Sequence, residues 1–226
     1  MIMSTIAIFS VLLNLALASL WSKPVDSGCT VSASRNGDRA LMSCRTGYGL
    51  TLSVIMADGR SIPVKDVDAV LRDAVPTGCP EWSPSGRFVA LEVGLDEEPG
   101  VLLIDASDKP SAVLMDRPLV PMQIAAAGPQ WHSSGDWLVF HTSGAGGVLA
   151  NEGVYALRLQ DRAIFRLLAA NVRSMALSGP TLYVVRVNVE SNGKGELLAF
   201  NIDDLMKKLV RVIPVENASR ARHEKQ

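Results

Sequence analysis

The 226-residue chain has no surplus of either charge: 22 Lys and Arg stand against 23 Asp and Glu, a formal net charge of −1. That balance argues against a nucleic-acid partner, which is held by a basic patch or stripe. Nor does the chain have an apolar run of the ~20 residues a membrane-spanning helix needs. The nearest approach, 6–20, is interrupted by Ser10, Asn14 and Ser19. No Lys or Arg precedes it, so its positive end is the α-amino group alone. Ala16-Leu17-Ala18 puts small residues where a signal peptidase needs them, and no Cys follows directly, which excludes a lipoprotein box. Residues 1–18 are therefore expected to be a secretory signal peptide, with an uncleaved N-terminal anchor as the alternative. In either case the remainder is expected in the periplasm or outside the cell.

Cysteine is scarce, at three residues: Cys29, Cys44 and Cys79. In an oxidising compartment two of them can pair. If Asn36-Gly37 forms a two-residue turn, counting back places Cys29 opposite Cys44. A three-residue loop would instead set Cys29 against Ser43. The expectation is Cys29–Cys44; Cys29–Cys79 and three free thiols are the alternatives.

What the chain has is a repeat. Gly37, Gly86 and Gly135 are spaced by 49 residues, and Gly179 follows 44 residues later. Around them lie Trp82-Ser83-Pro84-Ser85-Gly86-Arg87-Phe88 and Trp131-His132-Ser133-Ser134-Gly135-Asp136-Trp137. Short β-rich runs separated by turn residues recur in each unit, so the expected fold is all-β. Four units are predicted, at about 29–75, 79–116, 129–168 and 172–213. The stretch 64–75 also carries helix spacing at Val67, Val70 and Leu71. In the fourth unit, 208–213 is expected as the last strand. Pro84 and Gly86 suit the corners of a tight turn. With a three-residue loop, Trp82 would face Phe88 and Trp131 would face Trp137 across the hairpins.

The second unit, Trp82 to Leu91 followed by Val101-Leu102-Leu103-Ile104-Asp105, resembles the TolB-type, WD-like β-propeller repeat family. The Asp of that family's turn is replaced here by Asn36, Ser85, Ser134 and Ser178. The resemblance implies a propeller of four-stranded blades. Its members commonly have six or seven blades and are often extracytoplasmic. They include a periplasmic scaffold, oligopeptidase propellers and some polysaccharide lyases. Four blades leave three arrangements open: a closed ring, an open arc, or an arc completed by a second chain.

No residue set is assigned to catalysis, a cofactor or a metal. His132 and His141, near opposite ends of one hairpin, are roughly 15 Å apart if extended. His132, Ser133, Ser134 and Asp136 are the residue types of a hydrolytic triad crowded into one turn, where side chains diverge. Asp96-Glu97-Glu98 lacks the alternating ligands of a calcium loop and reads as a solvated loop between residues 95 and 100. The Gly-rich run 143–153 has no Lys followed by Ser or Thr, so it is no phosphate-binding loop. It is instead the expected partner-binding loop, through Gly144, Gly146, Gly147, Asn151 and Glu152. Segment 117–127 is a connection expected to pack under the ring, with a partner patch as the alternative. Residues 216–226 form a polar tail expected to be disordered. The predicted function is a non-enzymatic, exported propeller that binds another protein or a cell-envelope component. The alternative is a propeller enzyme acting on carbohydrate or peptide at the channel mouth. Expected partners include a second copy of the chain but no nucleic acid, and a membrane only through an uncleaved N-terminus.

Overall fold

In the computed structural model the residues described are 28–46, 49–65, 75–95, 98–114, 124–144, 152–187 and 195–211. The expected signal peptide and C-terminal tail lie outside them. Alternating apolar residues bounded by turn-forming Gly, Pro, Ser and Asn give antiparallel strands throughout. The first blade orders β1 (Cys29–Ala33), β2 (Arg39–Thr46), β3 (Gly49–Met56) and β4 (Ser61–Pro63). In the second, β5 (Val75–Pro76) and β6 (Glu81–Trp82) both pair with β7 (Phe88–Leu95), followed by β8 (Glu98–Asp105) and β9 (Ser111–Leu114). The third contains β10 (Ile124–Trp131), β11 (Trp137–Gly144), β12 (Gly153–Arg158) and β13 (Ala163–Ala169). The fourth has β14 (Val172–Ser178), β15 (Thr181–Val187) and β16 (Gly195–Asn201). These are the four propeller-like blades that the repeat predicts.

Each central strand serves two junctions, because its side chains alternate between faces. From β7, Val89, Leu91 and Val93 pack toward the first blade, while Ala90 packs toward the third. From β11, Leu138 and Phe140 pack back on the second blade, and Val139 packs forward on the fourth. Three apolar clusters result, one for each junction between consecutive blades. Among the described residues none joins the fourth blade to the first.

The fourth blade departs from expectation. After β16, Asn201 accepts the Asp204 N–H at 3.1 Å and caps a short helix, α1 (Ile202–Met206), with Asp203 and Asp204 in its first turn. The helix carries the chain away from β16, and β17 (Val210–Arg211) adds to β13 on the outer edge of the third blade. The segment expected to complete the fourth blade therefore widens its neighbour. Two connections are also shorter than expected. β10 begins at Ile124, inside the expected 117–127 connection, and has a bulge between Ala127 and Gln130. β7 and β8 extend until Leu95 faces Glu98, and Asp96 and Glu97 lie outside the described residues. In the stretch with helix spacing, Lys65 makes a parallel bridge to Ser111 and Val75 enters β5; the residues between lie outside those described.

The inner hairpins of the first three blades are closed by four residues rather than three, and that of the fourth by two, since Ser178 pairs with Thr181. Ser83 N–H donates to Phe88 O, and Gly86 N–H donates to Ser83 O, with Gly86 at φ 70°. Trp82 therefore faces Val89, and Trp131 faces Leu138. The predicted Trp82–Phe88 and Trp131–Trp137 pairs do not form, because a one-residue change of register sends each side chain to the other face. Phe88 meets Trp131 of the next blade instead, with ring centroids 6.4 Å apart, and Trp137 meets Phe165 at 5.6 Å. Loops of two and four residues share one register, so Cys29 lies opposite Cys44 in the first blade, and the two sulfurs are bonded. Cys79 is free and exposed.

Candidate functional site

The inner hairpin turns sit side by side. A β-carbon on Gly86 would lie 3.3 Å from Asn36 Nδ2, and one on Gly135 would lie 3.6 Å from Pro84 Cδ. Where the turns of all four blades converge they enclose a cleft of about 520 Å³. Arg35, Pro84, Ser133 and Leu177 line it, each two residues before its blade's repeat glycine. Glu81, Trp82, Gln130 and Trp131 supply the remaining inner-strand wall, with Ala176 and Gly179.

The polar edges of that wall are engaged within the protein. Trp82 Nε1 donates to Ser32 O and Oγ at 3.2 Å, and Trp131 Nε1 donates to Glu81 O at 2.7 Å. Each indole thus clasps the inner strand of the preceding blade. The fourth blade has Met175 at the same offset from its repeat glycine, and a thioether cannot donate in this way. There the link runs the other way: Gln130 Nε2 donates to Met175 O at 3.3 Å, and Gln130 Oε1 accepts the Leu177 N–H. The cleft presents ring and aliphatic surface together with the Arg35 guanidinium, the Glu81 carboxyl, the Ser133 hydroxyl and turn backbone. Burial pushes the Glu81 carboxyl above its ordinary pKa, and the charge of Arg35 opposes that shift. Such a wall can hold an apolar side chain while pairing a neighbouring polar or charged group.

A His and a carboxylate do meet beside the cleft. His132 is buried; its Nδ1 lies 3.0 Å from Ser134 Oγ, and its Nε2 is 3.3 Å from Asp203 Oδ1 of α1. The latter contact is close enough for charge attraction but outside hydrogen-bond geometry. The order Ser–His–Asp resembles a proton relay, yet the preceding blade explains it as turn architecture. There Ser83, in the place of His132, lies 3.0 Å from Ser85 Oγ and accepts the Phe88 N–H. In the third blade His132 Nδ1 accepts the Ser134 N–H, and Ser134 Oγ accepts the Asp136 N–H. The imidazole thus replaces a serine hydroxyl in bracing the turn. Asp136, whose side chain the sequence reading set apart from any relay, contributes its backbone to that brace.

The other predicted residues lie elsewhere. Gly144 ends β11 opposite Ile124, at the far end of the hairpin from the cleft. Glu152 is buried, only 7% exposed, where an exposed loop residue was expected. Its carbonyl accepts the Ala170 N–H, which ties it into the third blade. Gly146, Gly147 and Asn151 fall outside the described residues. His141 is buried within β11, and burial lowers its pKa against the opposing charge of Glu92. Glu92 Oε2 accepts the Gly128 N–H at 2.7 Å. Sequence reasoning missed Arg35, Glu81, Gln130 and Leu177. A partial signal lay in the repeat: Arg35, Pro84, Ser133 and Leu177 share one offset from the turn glycines, although the fourth loop is two residues shorter.

No family model matches the chain, and no curated protein does. Similar solved structures include TolB from Acinetobacter baumannii, with TM-score 0.47 and 13% identity, covering 82% of this chain and 43% of that one. An uncharacterized protein from Listeria monocytogenes EGD-e has TM-score 0.47 and 13% identity, over 84% of this chain and 55% of that one. An acylaminoacyl peptidase from Pyrococcus horikoshii has TM-score 0.46 and 13% identity, over 76% and 31%. The chain thus spans less than two thirds of each, and its architecture rests on its own strand pairing. Among the described residues, no helix is long and apolar enough to cross a membrane.

Proposed function

We propose that this chain is an exported, non-enzymatic binding module that takes a segment of another protein, or of a cell-envelope component, into the inner-hairpin cleft. One observation carries the reading: all four blades contribute residues to a single cleft, whose aromatic wall has its polar edges already engaged. A concave wall that combines ring and aliphatic surface with a few convergent polar groups is a usual form of a binding site. Arg35 and Glu81 at the mouth favour a segment with an apolar side chain next to a charged or amide group. The Ser134–His132–Asp203 string supports binding rather than hydrolysis, because its ring nitrogen braces the backbone of its own turn.

The test is capture of envelope proteins by the immobilised chain, compared with Leu177→Lys and Arg35→Glu. Both variants should lose the partners that the parent retains, whereas Tyr183→Ser, on the face away from the apolar clusters, should keep them. Retention of every partner by both cleft variants would remove the cleft from consideration. Turnover of peptide or polysaccharide by the parent chain, abolished by His132→Ala, would favour the enzymatic alternative.

A further inference from the structure

We propose that the free edge of β16 pairs with β16 of a second copy, joining two fourth blades into one continuous antiparallel sheet. The first three blades each place a strand beyond their third strand: β4, β9 and β13. In the fourth, α1 diverts the chain, and among the described residues nothing pairs with the outer side of Gly195–Asn201. Unpaired strand edges are templates for strand addition unless they are blunted by charge, proline or a cover.

The register identifies the available groups. Ile202 N–H donates to Pro180 O, so the hydrogen-bonded pairs with β15 fall at Phe200, Leu198 and Glu196. The N–H and C=O groups of Leu197 and Ala199 therefore point away from β15. Leu197 is 66% exposed and Tyr183 is 39% exposed. With Ala199 and Val185 they share the face opposite Leu182 and Val184, which are buried in the third apolar cluster.

This edge is self-complementary. With a twofold axis at Leu198, Leu197 exchanges both backbone hydrogen bonds with Ala199 of the second copy, and Ala199 does so with its Leu197. The large exposed side chain then lies beside the small one, and Tyr183 flanks them. Charge fits as well. Glu196, the only ionised residue of β16, is held by Arg186 at 2.7 Å and would face Phe200 of the second copy. No like charges meet across the axis. An interface in which one patch meets itself is the form that closes as a dimer.

Light scattering over a dilution series of the full chain should show a dimer; a strictly monomeric chain overturns the proposal. The doubly substituted Leu197→Lys/Ala199→Lys chain should associate at least ~10-fold more weakly, while its circular dichroism stays that of the parent. An unweakened dimer would overturn the pairing. The axis is tested by cross-linking in a Cys79→Ser background. Leu198→Cys should form an intermolecular disulfide under mild oxidation, because residues 198 face each other. Leu197→Cys should not, because the two copies of that residue are offset diagonally. Equal cross-linking of the two, or the reverse preference, would exclude the register. The cleft variants Leu177→Lys and Arg35→Glu should leave the dimer intact, so the outcome is separate from that of the cleft.

Discussion

At the scale of single residues, the inner strands show how a repeat position acquires several uses. Trp82 and Trp131 occupy the same place in successive units, and each indole N–H reaches the preceding blade. Trp82→Phe keeps an aromatic ring but removes the donor and part of a buried indole. It should cost more than the ~1 kcal/mol typical of one such bond, read by urea denaturation. Phe88→Leu would leave both indole donors in place and remove the ring contacts with Trp131 and the Arg87 guanidinium. At His141 the expected effect is on pH dependence. Its folded pKa lies below the ordinary 6.5 because burial disfavours the charged ring. Its contribution to stability is therefore full above that pH and declines as pH falls through the folded pKa. Melting temperature should drop more steeply on acidification for the parent than for His141→Asn. At the surface, Arg158 holds Asp161 down to a pKa of about 2, and a carboxyl titration by NMR should show it return toward 3.8 in Arg158→Ala.

At the scale of elements, the four-residue hairpin loop decides the most. It keeps Cys29 against Cys44 and moves every aromatic side chain away from its expected partner. Gly135 holds φ 78° in one such loop, so Gly135→Ala should destabilise by ~1 kcal/mol or more, read as a lower urea midpoint with an unchanged slope. The bonded pair in the first blade closes a sequence separation of 15 residues. Removing it in Cys29→Ser/Cys44→Ser should cost about 3 kcal/mol on the chain-entropy model, checked by the same denaturation under oxidising conditions. The strand runs were legible because period-two alternation between turn residues is a local signal. Loop length was less so. Pro84-Ser85-Gly86 names the corners of the turn but leaves open whether Arg87 belongs to the loop or to the strand. That one residue reverses which face each side chain takes.

At the scale of the whole molecule, three apolar clusters link four blades in sequence, so each blade is stabilised mainly by its neighbours. The third and fourth blades add one polar clasp of their own through Gln130. Gln130→Ala should therefore raise amide hydrogen exchange selectively in β14 and β15, while the first blade keeps its protection. Uniform loss of protection would show that the blades unfold as one unit. The candidate site belongs to this scale, because no single blade contains it. Arg35 and Leu177 are 142 positions apart in sequence, yet both line one cleft.

The sequence by itself determined the number of blades, their strand-rich character and the turn glycines. All of these follow from local alternation and from backbone angles that few residues adopt. It also contained the offset that four of the cleft residues share, although only convergence of the blades gives that offset a meaning. The tertiary structure alone decided that Trp82 and Trp131 bind neighbouring blades rather than their own hairpins. It alone decided that β17 joins the third blade, so that among the described residues no strand covers the outer edge of β16. The physical reason is the same in each case. Strand edges and indole N–H groups are satisfied by whichever partner packing brings within reach, and that partner lies one blade away in space but some fifty residues away along the chain.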